Sequence, residues 1–191
     1  MLGVMRIYSC LFQIVLACLL ISCLMFWPSS TRADQNDPEL DRLFSALLEA
    51  DDFAQGSRIT EEIWQRWRQV DDLEIKDLLA SGISAMSAHD LELALDSFDQ
   101  VIEKAPEFAE GWNKRATVYY LMGEYNHSIR DIRQTLLLEP RHFGAMAGFA
   151  WILLYQRDFE MAEHVLRRAL SVNPFLVDVR RQLQTLMNQS R

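Results

Sequence analysis

The residues able to do chemistry are few and scattered. Four histidines, His89, His127, His142 and His164, stand far apart along the chain. Glu160 and His164 are four apart and would meet on one helix face, but two ligands do not make a zinc site, and a helix-surface pair is the plainer reading. Asp51-Asp52 and Asp71-Asp72 are paired carboxylates at helix ends, where a loop or capping role is expected rather than acid–base work. Cys10, Cys18 and Cys23 all lie in the first 33 residues, so beyond them no thiol is present to attack a substrate or bind zinc. There is no glycine-rich phosphate loop. Nowhere do a nucleophile, a base and an orienting group stand in a recognisable relation. The sequence therefore predicts a protein without catalysis of its own, without cofactor and without a metal site.

What remains is a matter of surfaces and where they are delivered. Residues 1–33 contain no acid and two bases, Arg6 and Arg32, around an uncharged run from Ile7 to Trp27. Pro28-Ser29-Ser30 breaks the run, and Thr31-Arg32-Ala33 offers small residues three and one before a cut after Ala33. A basic start, an apolar middle and a small-x-small exit make a secretory signal. The run is long for a signal core and long enough to span a bilayer, so a retained anchor over residues 7–27 is the alternative. Leu20-Ile21-Ser22-Cys23 reads as a lipidation motif at Cys23, although apolar residues follow it. Each reading places the rest of the chain in the periplasm or outside a bacterial cell, or anchored in the inner membrane facing the periplasm. The 158 residues from 34 onward carry 17 Lys and Arg against 27 Asp and Glu, a formal charge of −10. That surface does not suit nucleic acid, whose phosphates need a basic face.

The elements that must present this surface repeat. Pro106, Pro140 and Pro174 are spaced by 34, and stacking on that period gives units 75–108, 109–142 and 143–176. One column reads Leu78, Trp112, Met146; four further on stand the small residues Gly82, Ala116, Ala150; three beyond those, Ala85, Tyr119, Leu153. Turn pairs follow at His89-Asp90, Gly123-Glu124 and Arg157-Asp158. Then come small Ala94, Ser128, Ala162, large Phe98, Ile132, Leu166, and Val101, Thr135, Ala169. Spacings of three and four put these residues on one helix face. Each unit is thus a pair of antiparallel helices, the small columns marking their close crossing and the proline ending the second helix.

The second unit, with Trp112, Ala116, Tyr119, Gly123, Tyr125, Ser128 and Pro140, resembles the tetratricopeptide repeat (TPR) consensus. The first and third units depart from it at Ala85 and Arg157. Trp112-Asn113-Lys114-Arg115-Ala116 and Glu139-Pro140-Arg141-His142-Phe143-Gly144 also resemble small exported bacterial TPR proteins of no established activity. The resemblance implies an all-α fold, a TPR-type solenoid of helical hairpins. Residues 34–74 form a divergent hairpin closing one end, with stripes Leu40, Leu43, Phe44, Leu47 and Ile59, Ile63, Trp64, Trp67. Residues 177–191 form the capping helix at the other end, since a terminal unit would otherwise expose an apolar face.

The resemblance further implies a concave groove lined by the first helix of each unit. Its positions here include Met86, Glu110, Asn113, Lys114, Thr117, Tyr120, Gly148, Trp151 and Tyr155, of which Met86, Asn113, Thr117, Tyr120, Trp151 and Tyr155 are the candidate partner-binding residues. Where some TPR proteins hold a peptide's terminal carboxylate with Lys and Asn, this chain has Leu79 and Ile83, so that clamp is not expected. Arg141 and His142, between the second and third units, could receive a carboxylate, but the last carbonyls of the preceding helix are the expected partners; Arg115 is expected on an acid of the adjacent helix, Asp131. The function expected is an exported scaffold for an envelope protein or peptide bound in the groove. The alternative is a structural or regulatory subunit that contacts an envelope enzyme complex through its outer face. A homodimer through Trp64 and Trp67 is a further expectation about partners.

Overall fold

In a computed structural model the structure describes residues 38–189, and the leader, its cut site at Ala33 and Cys23 lie outside them. The described residues are helical throughout, without strand: α1 Pro38–Leu48, α2 Phe53–Trp67, α3 Leu73–Ser87, α4 Leu91–Lys104, α5 Ala109–Leu121, α6 Tyr125–Leu138, α7 Phe143–Tyr155, α8 Phe159–Val172 and α9 Val177–Gln189. None of these helices is long and apolar enough to cross a membrane.

The helix boundaries follow from the sequence chemistry. Asp52 and Asp72 cap α2 and α3, accepting from the backbone N–H of Gln55 at 2.7 Å and of Glu74 at 2.9 Å. The expected capping role of these acids is what the structure shows, each offsetting an N–H that a helix start leaves unpaired. Asp90 and Asp158 do the same for α4 and α8. Immediately before Asp90, Glu124 and Asp158, the residues His89, Gly123 and Arg157 take left-handed backbone, with φ of 61°, 79° and 62°. The three positions are spaced by the 34-residue period, so each hairpin closes by the same turn, whichever residue occupies it.

Three such hairpins, α3–α4, α5–α6 and α7–α8, bury their small columns where the helices cross. Ala94, Ala150, Ala162 and Ala169 are fully buried, and a methyl added at Gly82 would come within 2.5 Å of the Phe98 ring. The apolar interior runs along the stack from unit to unit, not around one centre. One cluster joins the first hairpin to Phe108 and Val118 of the second. Another joins Ala116 and Ile132 to Ala145 and Ile152 of the third, and a third cluster joins the α7–α8 hairpin to Val179, Leu183 and Leu186 of α9. Each unit therefore covers its neighbour's oily face, as a solenoid requires, and α9 covers the last one as the sequence predicts.

The α1–α2 hairpin departs from expectation. Its stripe, Leu40, Leu43, Phe44, Leu47, Ile63 and Trp67, meets Phe143, Val172, Phe175 and Leu176 of the third unit and the turn after it. It does not extend the stack ahead of the first unit; it folds back onto the edge where the units join. Two glycines admit it. A methyl on Gly56 would come within 2.3 Å of the Phe175 ring, and one on Gly144 within 2.4 Å of Trp64. Asn173 Nδ2 donates to Thr60 Oγ1 at 3.0 Å, and Arg141 pairs with Asp41 at 2.6 Å. The amphipathic stripes are readable in sequence, but the face that receives them is made by residues a hundred positions away.

Candidate functional site

The first helices of the second and third units, α5 and α7, run side by side and enclose a concave pocket of about 290 Å³. The sequence of α7, Phe-Gly-Ala-Met-Ala-Gly-Phe-Ala, explains the space. Ala147 and Gly148 present little or no side chain to the pocket, and the methyl that Gly148 lacks would meet only Ile132, at 3.8 Å. From Asn113 and Gly144 at one end to Leu121 and Trp151 at the other, the pocket follows about eight residues of helix, or ~12 Å. No charged side chain lines it.

Four of the six residues singled out from the sequence meet there. Asn113, Thr117, Tyr120 and Trp151 all line the pocket. Met86 does not; it packs on the core of the first hairpin. Tyr155 stands outside the lining and is 69% exposed, its ring 4.6 Å from that of Tyr125, which in turn lies 5.8 Å from Tyr120. These rings form an aromatic ridge continuous with Tyr120.

Beneath the Asn113 end lies a buried polar cluster. Glu110, expected on the open concave face, is only 1% exposed, its carboxylate surrounded by His142, Asn113 and Lys114. His142 is fully buried and its Nδ1 accepts the backbone N–H of Ala145, at 3.1 Å. Nε2 must then carry the proton, and it donates to Glu110 Oε2 at 3.1 Å. Asn113 Nδ2 donates to the same oxygen at 2.9 Å. Lys114 Nζ approaches Oε1 at 3.1 Å, outside hydrogen-bond geometry, and sits 5.7 Å from the Trp64 ring centre. Burial pushes the Glu110 carboxyl up, but the bond from His142, the Lys114 charge and the Asn113 amide outweigh it and hold the group below its ordinary range. The His142 ring stacks on Trp67, 4.1 Å between centres and 9° from parallel.

Two expectations for this region are corrected. His142 does not serve the carbonyls of the preceding helix; it caps the start of α7. Arg141 binds the carboxylate of Glu139 and that of Asp41, because the folded-back hairpin brings an acid within reach. Trp64 and Trp67 are engaged within the chain, at right angles to and tilted against Phe143. Arg115 does bridge to Asp131, at 2.7 and 2.9 Å, and also to Asp99 at 2.7 Å, tying the first and second units on the outer side. Burial lowers the Arg115 guanidinium's affinity for its proton, yet the two carboxylates raise it above the ordinary value. Among the described residues no group of three His, Cys, Asp or Glu could hold a metal ion.

This architecture of stacked helical hairpins with a small-residue concave face is that of the TPR fold, and similarity to known proteins agrees. No protein-family model matches the chain. A TPR repeat-containing protein of Rhizobium etli is 36% identical over 135 residues, covering 71% of this chain and 66% of that protein. Tetratricopeptide repeat protein 36 of Bos taurus is 30% identical over 132 residues, covering 61% of this chain and 70% of that one. Among solved structures, the first TPR of Spaghetti (RPAP3) bound to an HSP90 peptide superposes with a TM-score of 0.59 at 15% identity, covering 62% of this chain and 94% of that one. The Sgt2 TPR domain from Aspergillus fumigatus gives 0.58 at 19%, covering 62% and 80%. The chain belongs to the TPR repeat family. It spans about two thirds or less of the length of the first curated relatives it resembles.

Proposed function

We propose that this chain is an exported, non-catalytic scaffold that binds a protein or peptide of the cell envelope in the groove between α5 and α7. The observation that carries the reading is the uncharged pocket itself: preformed, floored by glycine and alanine, and edged by Tyr120 and Trp151. Aromatic side chains bury much area with few torsions, which suits a contact surface. The same floor lacks any pairing of nucleophile and base. RPAP3's first TPR, of like fold, is described with an HSP90 peptide bound, which supports a peptide-sized occupant for a groove of this shape. Export rests on Arg6, the Ile7–Trp27 run and Thr31-Arg32-Ala33, and intact-mass measurement of the cellular protein tests it: cleavage after Ala33 leaves a chain that starts at Asp34.

In-cell photocrosslinking tests the groove. A photoreactive residue at Thr117 should give an adduct with an envelope protein, and Tyr120→Ala with Tyr155→Ala should abolish that adduct without loss of helicity. Adducts formed instead from Arg168, on the outer second helix α8, and indifferent to the tyrosines would transfer binding to the outer face and remove the groove from the account.

A further inference from the structure

The hydrogen bonds already made around the pocket fix which chemistry is left for an occupant. Asn113, 7% exposed, must turn Nδ2 toward Glu110, because a carboxylate only accepts. Its Oδ1 then belongs to the pocket lining, and no protein donor among the described residues reaches it. Thr117 donates its hydroxyl proton to the Asn113 carbonyl at 2.9 Å, and Ser128 donates its own to the Ala116 carbonyl at 2.8 Å. Both keep lone pairs and no proton. The Asn113 amide is also polarised by the ionised carboxylate behind it, which strengthens Oδ1 as an acceptor. The donors that remain, the second Nδ2 proton of Asn113, the Trp151 indole N–H and the Tyr120 phenol, are all neutral. Lys114, the neighbouring cation, faces Glu110 Oε1 at 3.1 Å and is not part of the pocket lining.

We infer that the pocket receives a cationic side chain, the lysine or arginine of an otherwise apolar partner segment, and that it discriminates against a carboxylate. This rests on the groove reading above and adds the polarity of the partner. An ammonium or guanidinium entering here finds Asn113 Oδ1, the lone pairs of Thr117, and the Tyr120 and Trp151 rings, whose faces attract cations. A carboxylate entering would shed its water with no cation free to replace it. At about 290 Å³ the pocket has room for one long side chain.

Three capped pentapeptides, acetyl-Leu-Ala-X-Ala-Leu-amide with X as lysine, norleucine or glutamate, test this against the full-length protein. Binding is read from the NMR shifts of the Gly148 amide and the Trp151 indole N–H. The lysine peptide should bind about tenfold tighter than the norleucine peptide, with glutamate the weakest. Asn113→Leu should erase that preference, and Thr117→Val, which leaves the Glu110 cluster intact, should reduce it about threefold. Equal binding of lysine and norleucine, or tightest binding of glutamate, overturns the cation assignment and leaves the groove standing. If none of the three moves Gly148 or Trp151 at millimolar concentration, the groove reading falls as well.

Discussion

Glu110 and His142 show how two polar residues can become structural once a third element covers them. A buried carboxylate is costly unless it is paired and hydrogen-bonded, and Glu110 has His142, Asn113 and Lys114 around it. Its carboxyl titrates below its ordinary value, so the unfolded chain takes up the proton first as pH falls. The stability due to the ionised form is therefore complete above the unfolded value, about 4.3, and is lost as pH drops through the lower folded value. Glu110→Gln should cost about 1–3 kcal/mol at pH 7. That difference from the natural protein should shrink steadily below pH 4 in urea titrations. Parallel stability curves from pH 7 to pH 3 would mean that the carboxylate's charge contributes nothing. The residue was visible in the sequence as a concave-face position; its burial was not, because it depends on His142 of the next unit, which is itself stacked under Trp67 from outside the repeat.

At the scale of the helical hairpin, the turn is the informative part. His89, Gly123 and Arg157 hold the same left-handed backbone, which costs a residue with a Cβ about 1–2 kcal/mol relative to glycine's freedom. Part of that is offset because glycine loses more entropy on folding. Arg157→Gly should thus stabilise the protein by about 0.5–1 kcal/mol, raising Tm by a few degrees in calorimetry. An unchanged or lower Tm would show that the arginine makes a compensating contact. Here the sequence was almost fully legible. The prolines at 106, 140 and 174, the small columns and the turn pairs each stem from a local steric rule, and local rules repeat with the chain. Arg157 was readable as a departure from glycine, and its φ shows that the turn tolerates the departure instead of changing shape. Of the groove, Asn113, Thr117, Tyr120 and Trp151 were legible because they sit at periodic positions on α5 and α7. Met86, at the same periodic position as Tyr120, packs on the core of the first hairpin and lies outside the pocket between α5 and α7.

At the scale of the whole described region, the hairpin α1–α2 turns a linear stack into one with a long-range closure. A solenoid's stability is the sum of nearest-neighbour terms, so its units can open one by one. Contacts from residues 38–67 to residues 141–176 break that rule, and the Trp67–His142 stack is their centre. Trp67→Ala removes a buried ring whose loss costs about 3–5 kcal/mol. The first unit shares no cluster with α1 and α2, so the cost should fall unevenly. In hydrogen exchange, amides of 38–67 should lose protection first, those of the α7 first turn next because His142 caps it, and those of α3 and α4 should change little. Uniform loss across all helices with one opening free energy would show a single cooperative unit, in which the hairpin is as integral as any repeat. Graded loss would instead show a hairpin docked on a solenoid that is stable without it. The Glu110 end of the groove would then become accessible whenever the hairpin lifts, linking the opening of the edge to the state of the pocket.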